Sequence, residues 1–344
     1  MDAAKQVIAH YPLKIKKVSL LSDKGKKAVW SIQTDTGRVI LKKIPIDKEY
    51  LAFMIHVIGS LKKKGVLTPG VIRTETGEDH VVFQGDIYVA FEAVNGQKPT
   101  YKNETQLVKI MQAMAHFHKA STDIPIPPGI NPSCLLGSWK AEFLRRCDEL
   151  EKWKADRINA KTINEFDRLF LLHVDFFLKQ GRRAISILDQ SCYQQWVEQT
   201  KAKKTLCHQD FAAGNLALDD NGNIHVFDMD TLTIDLPVRD MRKILNKVMR
   251  KQKKWDFASM MKMMKAYQEV NPLTKEQYTV LTADVFFPHL FFGQVSKYYG
   301  TRQREWTEEK HVRRLADVIE TEGNKEAVLL DFQARIRDVV SPLK

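Results

Sequence analysis

Residues 206–230 read LCHQDFAAGNLALDDNGNIHVFDMD, and the spacing of the polar residues in this stretch decides the fold. His208, Asp210 and Asn215 form a His-x-Asp-x-x-x-x-Asn pattern. Phosphoryl transfer to a hydroxyl needs a carboxylate that orients the hydroxyl and takes its proton. It also needs oxygen ligands that hold Mg2+ against the nucleotide phosphates. Asp210 suits the first role and Asn215 the second. His208 suits a structural one, an imidazole that hydrogen-bonds backbone and shapes the loop. The next two apolar runs, 216–218 and 224–227, flank Asp219-Asp220-Asn221-Gly222, a hairpin signal. Arms of about four or five residues, at roughly 3.4 Å each, run out about 15 Å and return. Asp228 is thereby brought back beside Asn215, and an amide oxygen with carboxylates nearby makes a hard-cation site suited to Mg2+. The competing reading makes Asp228 and Asp230 ordinary turn residues. Asp240 either braces the loop or is simply an acid at a helix start.

Upstream, residues 28–34 and 38–44 alternate as strands around Asp35-Thr36-Gly37, and 80–84 with 87–92 form a second hairpin around Gly85-Asp86. Between them, 47–64 has helical periodicity that stops at Gly65. Val39-Ile40-Leu41-Lys42 is an apolar strand ending in a lysine that can reach α- and β-phosphates if an acid on the following helix positions it. Glu49 is the best-placed acid and Asp47 the alternative. Lys43 alternates to the other face of the strand. Ser22 to Lys27, SDKGKK, stands where a loop would cover phosphates, with a single glycine.

The break at 95–99, NGQKP, marks the boundary between a sheet part, 1–94, and a helical part, 95–344. The second part holds a catalytic loop, 206–216, and a metal-binding hairpin, 216–230. Its helices are expected over 104–121, 136–155, 163–180, 183–200, 238–251, 257–268, 275–299, 308–321 and 324–340. The fold class is therefore α+β, and the lack of a strand-helix-strand series or GxGxxG excludes a dinucleotide-binding fold.

Composition narrows the function further. The 344 residues are 44% hydrophobic and 28% charged, as expected of a globular protein. No apolar run has the length of a membrane span, and the first residues lack the pattern of a signal peptide, which predicts a cytoplasmic protein. Cys134, Cys147, Cys192 and Cys207 show neither disulfide-framework nor zinc spacing, and Cys207 reads as a buried strand end. The formal net charge of +12 favours anionic partners. The densest basic stretch, 239–254, reads as a solvated helix face, and nothing in it matches a nucleic-acid motif. Trp139, Trp153, Phe287 and Phe291 have the spacing of core residues.

The HxDxxxxN loop, the hairpin ending at Asp228, the strand lysine Lys42 and the connector Tyr88-Val89-Ala90-Phe91-Glu92 resemble the aminoglycoside phosphotransferase/choline kinase superfamily. Within it, GVLTPGVIRTETG, VNGQKPTY, LLGSWKAEFLRR and HQDFAAGN are similar to the CotS/CotI-type spore coat proteins of Bacillus. The resemblance spans nearly the whole chain. It implies a bilobal protein-kinase-like fold, with a small antiparallel sheet lobe and a larger helical one. ATP would lie with its base against Phe91, Glu92, Ala93 and Val94, and Mg2+ at Asn215 and Asp228. Asp210 would act as catalytic base, with His208 and Asn215 completing the catalytic loop, and Lys42 would bind phosphate with Glu49 behind it. The implied acceptor is a small molecule or a coat component. Synthesis in the sporulating mother cell, deposition in the spore coat and other coat proteins as partners are implied as well. An alternative implication is a catalytically weak or inactive coat protein that keeps the fold as a binding module. The chain departs from the pattern at Met229, where relatives often carry an aromatic, and in its glycine-poor phosphate loop. A +12 chain is also poorly matched to cationic aminoglycosides.

Overall fold

A computed structural model describes residues 2–300, 303 and 305–341. The elements in the first part of the chain are α1 (Asp2–Ile8), β1 (Ile15–Asp23), β2 (Ala28–Thr34), β3 (Arg38–Ile44), α2 (Lys48–Lys63), β4 (Val71–Ile72), β5 (Val81–Phe83), β6 (Asp86–Glu92) and α3 (Glu104–Ser121). They are followed by α4 (Trp139–Ile158), α5 (Glu165–Gln190), α6 (Tyr193–Lys203), β7 (Leu206–Cys207), β8 (Leu216–Leu218), β9 (Ile224–Val226) and β10 (Thr233–Ile234). The chain continues as α7 (Val238–Gln252), α8 (Phe257–Gln268), α9 (Lys275–Phe286), α10 (His289–Tyr299), α11 (Glu308–Glu322), α12 (Lys325–Ala334) and α13 (Arg337–Val340). The architecture is the expected α+β one, an antiparallel sheet followed by a mostly helical remainder.

The chain divides into two compact units, Met1–Ser133 with Asp210–Thr233, and Cys134–Gln209 with Ile234–Lys344. The expected cut at 94/95 follows the change from strands to helices, whereas these units keep α3 and the 216–230 hairpin with the sheet.

In the first unit the sheet runs β1-β2-β3-β6-β4, with β5 also paired to β6. Alternation fixes its faces. On β3, Val39 and Leu41 are buried, in one core cluster with Val7 and Ile8 of α1, with Tyr11 just beyond it, and with Trp30, Ile32 and Tyr88. Ile40 and Lys42 therefore point to the opposite side. The turn at Asp35-Thr36-Gly37 closes β2 and β3, with the Thr34 N–H donating to the Gly37 carbonyl at 2.7 Å. Helix α2 starts where Asp47 accepts from the Tyr50 N–H, and it buries Leu51, Met54, Ile58 and Leu61.

In the second unit the structure differs from the sequence expectation in four places, one being the helix expected over 324–340, which is two, α12 and α13. The helix break expected at 181–182 lies instead at 191–192: α5 runs on through Gly181, and the end of the helix expected over 183–200 belongs to α6. The glycine is tolerated because a Cβ there would lie 2.8 Å from Cys147 Sγ, so close packing favours its absence. The single helix expected over 275–299 is two, α9 and α10. Pro288 has no N–H to donate and forces Phe287 to an extended ψ of 133°. The basic stretch is only partly a solvated face, since Lys251, Lys253 and Lys254 are exposed but its first turns are not. Arg239 and Arg242 on α7 are buried, 6% and 8% exposed, and are held by Asp235 and Asp284 respectively. Burying a guanidinium is tolerable when a carboxylate accompanies it, and periodicity alone cannot tell such a position from a solvated one.

Candidate active site

The first unit gathers the candidate residues. Hairpin pairing of Leu216 with Val226 and Leu218 with Ile224 returns the chain, so that the Phe227 N–H donates to the Asn215 carbonyl at 3.1 Å. Asp228 therefore follows directly beside Asn215. The Asn215 Nδ2 donates to the Asp210 carboxylate at 2.9 Å and to its carbonyl at 3.0 Å. This fixes the amide so that its oxygen points away from Asp210. Asp228 accepts from Lys42 Nζ at 2.7 Å, across 186 residues of sequence. Lys43 is tied instead to Asp86 at 2.6 Å, so the two adjacent lysines separate as strand alternation requires. The Asp228 carboxylate and the Asn215 amide oxygen are hard donors of the type a divalent cation takes.

A cavity of about 500 Å³ opens over these groups. Its apolar walls include Val29, Ile40, Phe91, Leu216 and Phe227, and Asn215, Asp228 and Asp230 line its polar end. Lys24, Lys27, Arg38, Lys42 and Lys98 line it as well, with Lys43 bordering it while its ammonium is held by Asp86, against the three carboxylates of Glu92, Asp228 and Asp230. This excess of positive charge suits a polyanionic ligand. Lys42 Nζ also sits 5.6 Å from the centre of the Phe91 ring. The Asp210 side chain is exposed and outside the lining set, reached through Asn215.

The connector is anchored at both ends. Glu92 accepts from Lys62 Nζ at 2.8 Å and from the Gly70 N–H at 2.7 Å, and the lysine hydrogen bond leads in holding its carboxyl below the usual range. The Val94 carbonyl accepts from Arg38 at 3.0 Å. Phe91, Glu92 and Val94 line the cavity, while Ala93 lines an adjoining pocket of about 490 Å³. Gln97 and Leu218 exchange backbone hydrogen bonds at 2.9 and 2.8 Å, pinning the connector to β8.

Glu49 is not brought to Lys42. Asp47 caps α2, which leaves Glu49 exposed in the first turn, and the face of α2 toward the cavity carries Met54 and Ile58. Asp228 takes the role of partner to Lys42.

In the second unit His208 is buried, and Asp240 proves to brace the loop. Its carboxylate accepts from the His208 N–H at 2.7 Å and from the Gln209 N–H at 3.0 Å. Lys243 Nζ donates to the Gln209 carbonyl at 2.7 Å. The backbone immediately ahead of Asp210 is thus fixed from α7. Cys207 is fully buried, donates to the Leu236 carbonyl, and burial pushes its thiol well up, which fits an inert packing role. Trp139, Phe287 and Phe291 are core, and Trp153 stacks on Phe292.

Arg38 has no role in the sequence expectation, where Lys27 only closes a possible phosphate loop and Asp230 is only a possible turn residue. Asp230 carried a signal, an acid two residues beyond Asp228, but its partner lies 203 residues away in the chain.

Residues 5–332 match the family model described as "Spore coat putative kinase YutH". The chain belongs to this spore coat kinase-like family. Spore coat protein S of Bacillus subtilis (strain 168) is 32% identical over 325 residues, spanning 94% of this chain and 92% of that protein. Among solved structures, an aminoglycoside phosphotransferase from Alicyclobacillus acidocaldarius superposes with a TM-score of 0.81 at 16% identity, covering 98% of this chain and 96% of its own. The amicoumacin kinase hAmiN, solved with AMP-PNP, Ca2+ and Ami, gives 0.63 at 15% identity, covering 100% and 95%. At these identities the likeness shows the fold, and the kinase-like fold class is the one expected from the sequence.

Proposed function

We propose that this spore coat family member is an ATP- and Mg2+-dependent phosphotransferase that moves the γ-phosphate to a hydroxyl of a small-molecule or coat-component acceptor. The observation that carries the reading is the contact chain Lys42–Asp228 and Asn215–Asp210 at the polar end of one cation-rich cavity. In this reading the base lies between Ile40, Phe91, Val94 and Leu216. Lys42 faces the α- and β-phosphates, and Asn215 with Asp228 holds the divalent cation. A cation held there offsets the charge on the phosphoryl oxygens. Asp210, exposed and oriented by Asn215, accepts the proton of the attacking hydroxyl. His208 and Asp240 hold the loop in shape. The neighbours solved with AMP-PNP or with ADP and spectinomycin support nucleotide use with a small-molecule acceptor.

One observation favours a second reading, a coat protein with weak or no turnover that keeps the fold as a binding module. Lys42 has no acid from α2 behind it, so nothing on that helix holds the ammonium toward phosphate in preference to Asp228. The two readings separate on transfer of labelled γ-phosphate to coat extracts and to small alcohols in Mg2+. Transfer abolished by Asp210→Ala supports the enzyme. Transfer that persists in that variant excludes the assigned base, and no transfer with nucleotide still bound supports the module.

A further inference from the structure

The turn between β1 and β2 is in the right place to cover phosphates, but two of its backbone donors are engaged within it. The Lys24 N–H donates to the Lys27 carbonyl at 2.8 Å, and the Gly25 N–H to Asp23 Oδ1 at 2.9 Å. A turn that binds phosphate through main-chain amides must leave such groups pointing at the ligand, and these two point into the turn. Side chains are what it presents to the cavity. Lys24 and Lys27 are in the lining and Lys26 is not. Lys27 reaches furthest, its ammonium bonded to the Asp230 carboxylate beside Asp228. Asp230 is 9% exposed and Lys27 49%, so a buried anchor holds a cation that remains open to a ligand. Burial opposes the charge on Lys27, but the bond to Asp230 and the fields of Asp230, Asp228 and Asp210 outweigh it and raise its pKa.

We propose that Lys27 is a phosphate-binding residue that replaces the backbone amides of a glycine-rich turn, and that Asp230 positions its ammonium over the cavity. This rests on the nucleotide reading of the cavity and adds to it a ligand for the terminal phosphates distinct from Lys42. It also accounts for a loop with one glycine in a site that otherwise keeps its functional groups.

The test is calorimetric titration of ADP and of adenosine, both in Mg2+, into wild type, Lys27→Met, Lys26→Met and Lys27→Arg. Lys26→Met removes the same charge from the same turn outside the cavity. The expected result is a Kd for ADP about tenfold or more weaker in Lys27→Met, the scale of one charge-assisted hydrogen bond. Lys26→Met stays near wild type, Lys27→Arg recovers most of the loss, and adenosine binds all four proteins alike. Equal effects of Lys27→Met and Lys26→Met, or a loss that adenosine shares in full, overturns the proposal and leaves Lys27 a structural partner of Asp230. Wild type that binds neither ligand overturns the nucleotide reading, and this proposal with it.

Discussion

Gln209 and Asp228 both adopt a backbone φ of 67°, a left-handed conformation that non-glycine residues take at a cost. Residues kept in such angles are held there by their surroundings and concentrate at functional sites. Here the surroundings are visible: Lys243 and Asp240 hold Gln209, and Lys42 holds Asp228. The brace at Asp240 is testable alone. Its buried carboxylate accepts two backbone N–H groups, and an amide in its place turns a donor toward one of them. Asp240→Asn is therefore expected to lower unfolding free energy in urea by about 1–3 kcal/mol, and an unchanged midpoint would show that the brace carries no weight. His289 provides a pH test. Its side chain is 6% exposed, with its Nε2 2.8 Å from Asp284 and its Nδ1 3.0 Å from Arg146. Burial first, then Arg242 and Arg146, push its pKa from 6.5 to about 3 despite Asp284. Between those values the unfolded chain binds a proton that the folded one does not, so stability falls as pH drops from 6.5 toward 3. His289→Gln should remove a slope of up to about 1.4 kcal/mol per pH unit from that window. Identical wild-type and variant slopes would contradict the assignment.

At the scale of elements, the connector and the hairpin act as one piece. Gly96 sits where a Cβ would lie 2.6 Å from the Leu218 carbonyl oxygen, a backbone atom that cannot turn aside. Gly96→Ala should part the Gln97–Leu218 bridge, costing about 1–3 kcal/mol as an overpacking change does, and weaken nucleotide binding more than an exposed Gly→Ala such as Gly59. Equal behaviour of the two variants would refute the coupling. Much at this scale was legible in the chain. Strands β2 and β3 and helices α3 and α8 begin and end where alternation, turn glycines and caps place them, because those signals are local. The return of Asp228 to Asn215 was legible for the same reason, a hairpin of fixed register. What was not legible depended on distant partners. Gly181 continues a helix because Cys147 packs on it, Arg239 and Arg242 are buried because Asp235 and Asp284 await them, and Glu49 loses Lys42 to an aspartate 186 residues downstream. Helix α1 and strand β1 also went unassigned, since β1 exposes Ile15, Leu20 and Leu21 and so lacks a clean alternation.

For the whole molecule, the formal charge of +12 is not spread as a simple basic coat. Arg239 and Arg242 on α7 are neutralised by Asp235 and Asp284, and an unbalanced part of the positive charge lines the cavity, where basic residues outnumber carboxylates. Such a site should draw in a polyphosphate and release it as salt rises. Among the described residues no helix is long and apolar enough to cross a membrane. The proposed function requires that the cavity take a nucleotide with a divalent cation at Asp228. Thermal unfolding with ATP, with and without Mg2+, tests it most directly when run beside Asp228→Asn, a replacement that tolerates the left-handed backbone while removing the charge. A ligand that binds the folded state alone raises the midpoint in proportion to RT ln(1 + [L]/Kd). The account predicts a Mg2+-dependent rise in wild type that Asp228→Asn abolishes. No rise at millimolar ATP, or the same rise in both proteins, would contradict it.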